Sequence, residues 1–293
     1  FVKKNIPCLG IEPTDSTADK AQKIGVPVLR KFFGKKLAQM LSKKKKKADL
    51  IIGNNVFAHV PDINDFTKGL KLLLKPKGVI TLEFPHLMQL IKHKQFDTIY
   101  HEHFSYLSLF TVKKIFERVG LKIFNVEEID THGGSLRIYG CHKNNKRKIT
   151  SKVNLLLKKE KINGLQKIQT YKNFQIKADK IKNDLLNFLI IQKNKGKKVA
   201  AYGAAAKGNT LLNYAGIKKD LISFVCDGAI AKQGQFMPGS HIPIVQPNFL
   251  KKNKIDYLLI LPWNISNEIK EQNSKLKKYG VRFLVAVPNL KIL

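Results

Sequence analysis

Residues 197–214 read KKVAAYGAAAKGNTLLNY, and this stretch predicts the fold of the carboxyl-terminal half of the chain. The apolar run up to Tyr202 is typical of a buried strand, Gly203–Gly208 of a tight turn, and Asn209–Tyr214 of a helix. Three further apolar runs predict additional strands: Ile222–Asp227, Tyr257–Leu261 and Phe283–Val287. Because strands that alternate with helices form parallel sheets covered by helices, we expect a nucleotide-fold-like α/β unit here.

The amino-terminal half shows the same alternation. Strand-like runs cover Ile6–Glu12, Ala48–Gly53 and Val79–Glu83, and helix-like segments occupy about residues 16–24 and Ile63–Leu74. The polar residues at the strand ends are Glu12, Asn54, Asn55 and Glu83. Since ligands of such sheets bind beyond the carboxyl ends of the strands, we expect these side chains to line a crevice.

Between these two halves the sequence becomes more helical. A helix is predicted at Thr111–Val119 with Thr111 as its N-cap, followed by a strand at Leu136–Cys141. One or two long amphipathic helices are predicted between Ser151 and Lys193. The chain of 293 residues is therefore interpreted as two α/β domains joined by a helical stretch.

The charge balance is strongly basic. There are 54 Lys+Arg against 21 Asp+Glu, a net charge of +33, which alone favours a nucleic acid or an anionic surface as partner. Nearly all of this charge is lysine, whereas phosphate and guanine recognition favour arginine, so we expect no nucleic-acid partner. The run Lys43–Lys47 is interpreted as a solvated loop.

Neither membrane nor metal signals stand out. No run of about 18 uncharged apolar residues is present, so we expect no membrane span. Cys8, Cys141 and Cys226 are too few and too scattered for a zinc site or a disulfide framework, and their odd number suits a reducing compartment. We therefore expect a cytoplasmic protein without a metal.

The densest group of reactive side chains is YHEHFSY at residues 100–106. Imidazole titrates near neutral pH and can accept a proton from carbon or oxygen. His-x-His also occurs in metal sites, but no obvious third and fourth ligands accompany it. His59 follows the strand end at Asn54 and Asn55, so we expect it to face the same crevice; alone, it is more simply a histidine at a helix start.

Five segments carry a resemblance to a known family: GNNVFAHVPD (53–62), YHEHFSYLS (100–108), THGGSLRIYG (131–140), AYGAAAKGNT (201–210) and PGSHIPI (238–244). In this order and spacing they resemble S-adenosylmethionine-dependent C-methyltransferases that act on nucleotide-linked deoxysugars. The resemblance implies an α/β fold: a partial class I methyltransferase (Rossmann-like) domain in residues 1–145 and a second Rossmann-like domain in residues 146–293. The second domain would bind the sugar nucleotide.

The resemblance also implies where S-adenosylmethionine binds. Glu12 matches the acidic residue that holds the two hydroxyls of the cofactor ribose. Asn54 and Asn55 match the strand end beside the methionine part. Phe32 and Phe33 are placed near the adenine, although a phenylalanine pair belongs to the core more often than not.

The implied reaction removes a proton from a sugar carbon next to a ketone and methylates the resulting enolate. His103 is the predicted base, and Tyr100 is its main competitor. Glu102 is predicted to orient the imidazole or to hold a polar group of the sugar, and His59 to hydrogen-bond the enolate oxygen. The wall facing the sugar is assigned to His132, Gly133, Gly134 and Ser135.

The segment GAAAKG (203–208) could bind an anion through backbone N–H groups at the start of a helix. Alone it is more simply a tight turn, because its spacing is neither that of a dinucleotide fingerprint nor that of a P-loop. The resemblance places Lys207 near the sugar nucleotide, whose nucleotide we expect to be thymidine diphosphate. Asp227 imitates a ribose-binding acid, but we infer no second cofactor from it.

The sequence departs from the family pattern at its start. Relatives usually begin with a zinc-binding domain, a first strand and a glycine-containing loop, which are not found before the first predicted strand. We therefore expect an amino-terminally truncated chain in which two strands have unpaired edges. The alternatives are a catalytically inactive sugar-nucleotide-binding protein and, less favoured, a basic nucleic-acid-binding protein.

Overall fold

The computed structural model describes residues 1–293 and has a mixed α/β architecture. The helices are α1 (Asp15–Lys23), α2 (Lys35–Lys43), α3 (Ile63–Leu73), α4 (Leu87–Lys92), α5 (Leu109–Arg118), α6 (Ser151–Ile162), α7 (Ile168–Asn194), α8 (Ala206–Tyr214), α9 (Phe249–Lys252) and α10 (Ser266–Gln272). The strands are β1 (Gly10–Ile11), β2 (Val28–Leu29), β3 (Ala48–Asn54), β4 (Leu74–Pro85), β5 (Leu121–Ile129), β6 (Ser135–His142), β7 (Val199–Tyr202), β8 (Val225–Cys226), β9 (Ile244–Val245), β10 (Tyr257–Ile260), β11 (Arg282–Val285) and β12 (Lys291–Ile292).

The chain forms two compact units whose segments alternate along the sequence. Unit 1 consists of Phe1–His86, Phe104–Asp130 and Ser135–Ile162. Unit 2 consists of Leu87–His103, Thr131–Gly134 and Asn163–Leu293. Two short segments of the first half of the sequence therefore belong to unit 2. The domain boundary predicted between residues 145 and 146 stays a prediction.

The larger sheet of unit 1 has the strand order β3-β4-β6-β5. Strands β3 and β4 are parallel, but β4 with β6 and β5 with β6 are antiparallel. The predicted parallel pairing is confirmed for β3 and β4, whereas β6 adds antiparallel pairs to the sheet. The physical reason is the short connection between β5 and β6, since a link of a few residues permits only antiparallel pairing.

Strands β1 and β2 form a separate parallel pair. The strand predicted at Ile6–Glu12 is reduced to the two residues of β1. Strand β3 lies at the edge of its sheet, and β1 has β2 as its neighbour in the two-stranded sheet. The consequence is visible on β3, where Leu50 is 44% exposed and Ile52 is 47% exposed.

A buried carboxylate organises the start of α5 in unit 1. Glu160 of α6 is fully buried and accepts the backbone N–H groups of Leu109 at 2.6 Å and Phe110 at 2.9 Å. It also contacts Nε2 of buried His86 at 2.8 Å. The carboxylate thus accepts from N–H groups that the first turn of a helix leaves without partners. Glu160 therefore attaches α6 to the start of α5.

The N-cap of α5 differs from the prediction. The cap is Ser108, whose side chain accepts a hydrogen bond from the backbone N–H of Thr111 at 3.2 Å. Thr111 therefore lies in the first turn and is not the cap. Both residues suit a cap chemically, and the choice between them depends on where the preceding backbone leaves the extended conformation.

Unit 2 contains a six-stranded sheet of order β12-β11-β10-β7-β8-β9, parallel except for β12. Strand β10 has neighbours on both edges, and all four of its side chains are buried. Leu185 and Leu189 of the long helix α7 are fully buried in the same core. This core holds the carboxyl ends of β7 and β10 in place, and the segments that follow these strands carry Lys207, Trp263 and Asn264.

Candidate active site

The reactive string at residues 100–106 follows the 3-10 helix Phe96–Thr98, and its residues up to His103 belong to unit 2, whereas Phe104 and the residues after it belong to unit 1. The backbone N–H of His103 donates to the carbonyl of Tyr100 at 3.0 Å, which closes a turn. The rings of the two residues stack with centroids 4.5 Å apart and an interplanar angle of 30°. The structure therefore brings the predicted base and its main competitor into direct contact.

The imidazole of His103 has a defined orientation. Its Nδ1 lies 2.9 Å from the carbonyl oxygen of Thr98. Because a carbonyl can only accept, Nδ1 must carry the proton and donate it, so Nε2 bears the lone pair in the neutral ring. A neutral imidazole in this tautomer can take up a proton at Nε2, as a general base must.

The two polar neighbours of this ring are exposed. His101 and Glu102 both lie at the surface of the turn. The carbonyl that accepts the hydrogen bond from Nδ1 of His103 belongs to Thr98, a residue that the sequence did not single out. Contact between Glu102 and a polar group of the sugar stays a prediction.

The predicted sugar-facing wall is divided between the units. The 3-10 helix Thr131–Gly133 and Gly134 belong to unit 2, whereas Ser135 is buried at the start of β6 in unit 1. His132 has a φ of 56°, in the left-handed region. At Gly133, with a φ of 90°, a Cβ atom would overlap with the ring of Trp263. Only glycine allows this close approach.

Two residues that the sequence did not predict contact this glycine, and a third, Asp97, contacts one of them. Gln95 donates from Nε2 to the Gly133 carbonyl at 2.6 Å. Trp263, in the 3-10 helix after β10, donates from Nε1 to Oδ2 of Asp97 at 2.7 Å. Asp97 is fully buried, and burial raises the pKa of its carboxyl group to about 6. The other oxygen, Oδ1, has no hydrogen-bond partner.

Lys207 lies on a helix and not in the predicted turn. Helix α8 begins at Ala206, three residues before the predicted start at Asn209, so Lys207 is its second residue. Its Nζ contacts Oδ1 of Asn264 at 2.7 Å and lies 4.6 Å from the centre of the Trp263 ring. Burial lowers the pKa of Lys207, and the charge of Asp97 partly opposes this shift.

A crevice of unit 2 lies at the carboxyl ends of β7, β8 and β10, and Lys207 is not among its lining residues. It has a volume of about 260 Å³ and is lined by Tyr202, Gly203, Asp227 and Pro262 among others. Asp227 accepts the backbone N–H groups of Ala204 at 2.7 Å and Ala229 at 2.8 Å. The carboxylate thereby holds together the two loops that line the crevice, which gives it a structural task.

The residues predicted to bind the cofactor lie in unit 1. Glu12 directly follows β1, and its Oε1 accepts the backbone N–H of Thr14 at 2.8 Å. Asn54 is the exposed last residue of β3, and Asn55 has a φ of 54°. A carboxylate and two carboxamides beyond parallel strands can bind hydroxyl, amino and carboxylate groups, so these residues suit S-adenosylmethionine chemically.

The other predicted residues of unit 1 differ in their exposure. Phe33 packs edge-on against Phe66 with centroids 5.1 Å apart, whereas Phe32 is 83% exposed. Glu83, expected at the crevice, is buried and forms an ion pair with Arg137 at 2.8 Å. It therefore belongs to the interior of the sheet.

His59 is half-buried and ends the 3-10 helix Phe57–His59 in unit 1. Its backbone N–H donates to the carbonyl of Val56 at 2.9 Å, within the segment that follows Asn55. Phe57 and Ala58 are buried beneath it. The tight turn after β3 therefore fixes the backbone that carries the predicted partner of the enolate oxygen.

Two further structural features bear on the expected class of protein. No helix is long and apolar enough to cross a membrane. No group of three or more His, Cys, Asp or Glu side chains is arranged to hold a metal ion.

Comparison with known proteins identifies two matching family descriptions. A "C-methyltransferase C-terminal domain" matches residues 130–288, and a "Methyltransferase domain" matches residues 2–126. The chain is also similar to the C-methyltransferase NovU of Streptomyces niveus, with 33% identity over 285 residues, which cover 97% of this chain and 68% of NovU.

The similarity of this chain to solved structures is weaker. A methyltransferase of Anabaena variabilis ATCC 29413 has 13% identity and a TM-score of 0.39, covering 48% of this chain and 71% of that one. Magnesium protoporphyrin IX methyltransferase of Synechocystis PCC 6803, solved with bound SAH, has 16% identity and a TM-score of 0.36, covering 48% and 65%. The two family matches and the similarity to NovU confirm the predicted fold and enzyme classes. The chain belongs to the family of S-adenosylmethionine-dependent C-methyltransferases.

Proposed function

We propose that this C-methyltransferase methylates a carbon next to a ketone of a nucleotide-linked deoxysugar, through an enolate. The observation that supports the proposal most directly is the bond from Nδ1 of His103 to the Thr98 carbonyl. It leaves the lone pair on Nε2, where a proton taken from the sugar carbon would be accepted. The stacked ring of Tyr100 limits rotation of the imidazole and is the alternative base.

The methyl group requires a bound donor. S-adenosylmethionine, when bound, supplies the electrophilic methyl group that the enolate carbon takes up. Glu12 would hold the ribose hydroxyls, and Asn54 and Asn55 the methionine end. Phe33 is proposed to contact the adenine from the edge of its core cluster.

The remaining polar residues would hold the sugar. His59 is proposed to donate to the enolate oxygen, which stabilises the charge that develops there. Exposed Glu102 would bind a sugar hydroxyl. His132, Gly133 and Ser135 are proposed to contact the sugar.

The nucleotide is proposed to bind through its phosphates. Lys207 carries the positive charge for this contact, at the start of α8, where backbone N–H groups also favour an anion. Asn264, which already contacts Nζ of Lys207, keeps the ammonium group at the helix start. Thymidine diphosphate is the proposed carrier of the sugar.

The base can be tested separately from methyl transfer. A thymidine diphosphate-linked keto-deoxysugar is incubated in D₂O with the protein and without cofactor, and NMR follows exchange of the proton next to the ketone. We expect His103→Asn to slow this exchange on the order of a hundred-fold or more, as is typical for loss of a general base. His101→Asn, a change in an exposed imidazole two residues away, is the matched control and should leave exchange unchanged.

The same assay separates the two possible bases. Loss of exchange in Tyr100→Phe with retention in His103→Asn would assign the base to Tyr100. If the wild-type protein neither exchanges the proton nor forms methylated sugar with added cofactor, this substrate class is wrong.

A further inference from the structure

Trp263 is the single tryptophan of the chain and lies just beyond the carboxyl end of β10 in unit 2. Its side chain meets three separate segments of that unit. The ring N–H bonds Asp97, the ring lies against Gly133, and one ring face lies under Nζ of Lys207. The proposed function assigns no role to Trp263 itself, so the indole needs another explanation.

Asp97 is the least satisfied of these partners. It sits in the 3-10 helix Phe96–Thr98, which packs against α8, and its side chain is completely buried. Oδ2 accepts the indole N–H, whereas Oδ1 accepts nothing. Because a buried carboxylate with one unpaired oxygen lowers stability, a fold gains nothing by keeping it unless it has a further task.

The same 3-10 helix orients the proposed base. Thr98, the next residue after Asp97, provides the carbonyl that holds Nδ1 of His103. The hydroxyl of Thr98 donates in turn to the carbonyl of Gln95 at 2.8 Å. Gln95 holds Gly133 through its side chain at 2.6 Å. One short segment thus connects His103 with the glycine loop.

A charge connects this segment with the proposed phosphate site. Lys207 is the charged side chain whose field reaches Asp97, and it lowers the pKa that burial raises. Lys207 and Asp97 contact the same indole, one at its face and the other at its N–H. An anion bound at Lys207 would therefore change the electrostatic surroundings of Asp97 without touching it.

We propose that Asp97 and Trp263 are positioning residues, which hold the segment carrying Thr98 and His103 in place and couple it to the binding of an anionic phosphate group at Lys207. The binding of a phosphate group at Lys207 rests on the proposed function, whereas the contact between Asp97 and Trp263 does not. Occupation of the phosphate site would then set the orientation of the base, so that a substrate lacking phosphates would react slowly even when bound.

The single indole makes the coupling measurable in the intact chain. In ¹⁵N-labelled protein it gives one indole N–H resonance, which we expect to titrate with a midpoint near pH 6, the pKa of Asp97. Asp97→Asn should abolish this titration. Lys207→Gln should raise the midpoint, because it removes the charge that lowers the pKa of Asp97.

The matched control is Asp256→Asn. Asp256 precedes β10 at the opposite end of the same strand and accepts the backbone N–H of Lys198 at 2.9 Å. This variant should leave both the indole resonance and its midpoint unchanged. A midpoint that does not move in Lys207→Gln, or a resonance that does not titrate between pH 5 and 8, would overturn the proposal.

Ligand and kinetic measurements separate this proposal from the proposed function. Thymidine diphosphate, whose binding is followed independently by calorimetry, should shift the indole resonance; binding without a shift contradicts the coupling. If thymidine diphosphate does not bind, the proposed nucleotide site is contradicted. The role of Asp97 and Trp263 is then tested by the midpoint of the indole titration in Lys207→Gln. With substrate turning over, Trp263→Phe should lower kcat on the order of ten- to a hundred-fold with a smaller change in KM, as expected for a misplaced base.

Discussion

Each unit contains one completely buried carboxylate, and the two have opposite surroundings. Glu160 in unit 1 accepts two backbone N–H groups and contacts His86. Asp97 in unit 2 accepts the indole N–H of Trp263 on one oxygen and nothing on the other. Burial is the same in both, so the difference between the two carboxylates lies in the number of groups that contact them.

Removing the satisfied carboxylate should have the largest effect on stability. Glu160→Ala leaves the N–H groups of Leu109 and Phe110 and the ring of His86 buried without their acceptor. We expect the free energy of unfolding to fall by about 3–5 kcal/mol, the usual result of breaking a buried pair. Urea denaturation followed by circular dichroism measures this change.

Exposed Glu117 of α5, whose side chain pairs with Lys113, provides the control. Glu117→Ala should change the free energy of unfolding by less than about 1 kcal/mol, since surface ion pairs contribute little. If the two variants lost similar amounts, the role given to Glu160 would be wrong.

Asp97, the carboxylate with one unpaired oxygen, should make the free energy of unfolding depend on pH. The pKa of Asp97 is raised from 3.8 to about 6, so the folded state holds its proton more tightly than the unfolded state. This contribution to stability is complete below pH 4 and is lost as pH rises through 6, and it amounts to up to about 3 kcal/mol. Asp97→Asn should lack this loss, and the difference between variant and wild type is read from urea unfolding between pH 4 and 8.

Asp256→Asn should change the pH dependence of stability in the opposite direction. The pKa of Asp256 is lowered, first by its hydrogen bond with Lys197, so its contribution is present at neutral pH and is lost on acidification. If the stability difference from wild type changed with pH in the same direction for Asp97→Asn and Asp256→Asn, the opposite pKa shifts of these two carboxyl groups would be contradicted.

The smallest effect is expected at the side-chain cap of α5. Ser108 satisfies one N–H group of the turn whose other donors Glu160 accepts. Ser108→Ala should cost about 1 kcal/mol, as for other N-caps, while Thr111→Ala should cost less because Thr111 is not the cap. Thermal unfolding of the two variants distinguishes them, and equal losses would restore Thr111 as a candidate.

Local patterns in the sequence predicted the alternation of strands and helices and the reactive string, because apolar periodicity and side-chain chemistry are properties of neighbouring residues. The start of α8 was missed because its N-cap, Ala205, provides no side-chain signal. Asp97 and Trp263 were missed because they are 166 residues apart and form a pair only in the folded chain. The available signal was a lone tryptophan immediately after a strand end.

The interleaving of the two units also sets an order for folding during synthesis. The segment Leu87–His103 leaves the ribosome before the main part of unit 2, which begins at Asn163. With 166 residues between Asp97 and Trp263, translation at about 5–20 residues per second keeps the proposed base without its supporting partners for on the order of 10–30 seconds. The segment that carries the proposed base is therefore made before the residues that support it and acquires its full set of contacts only after they have been made.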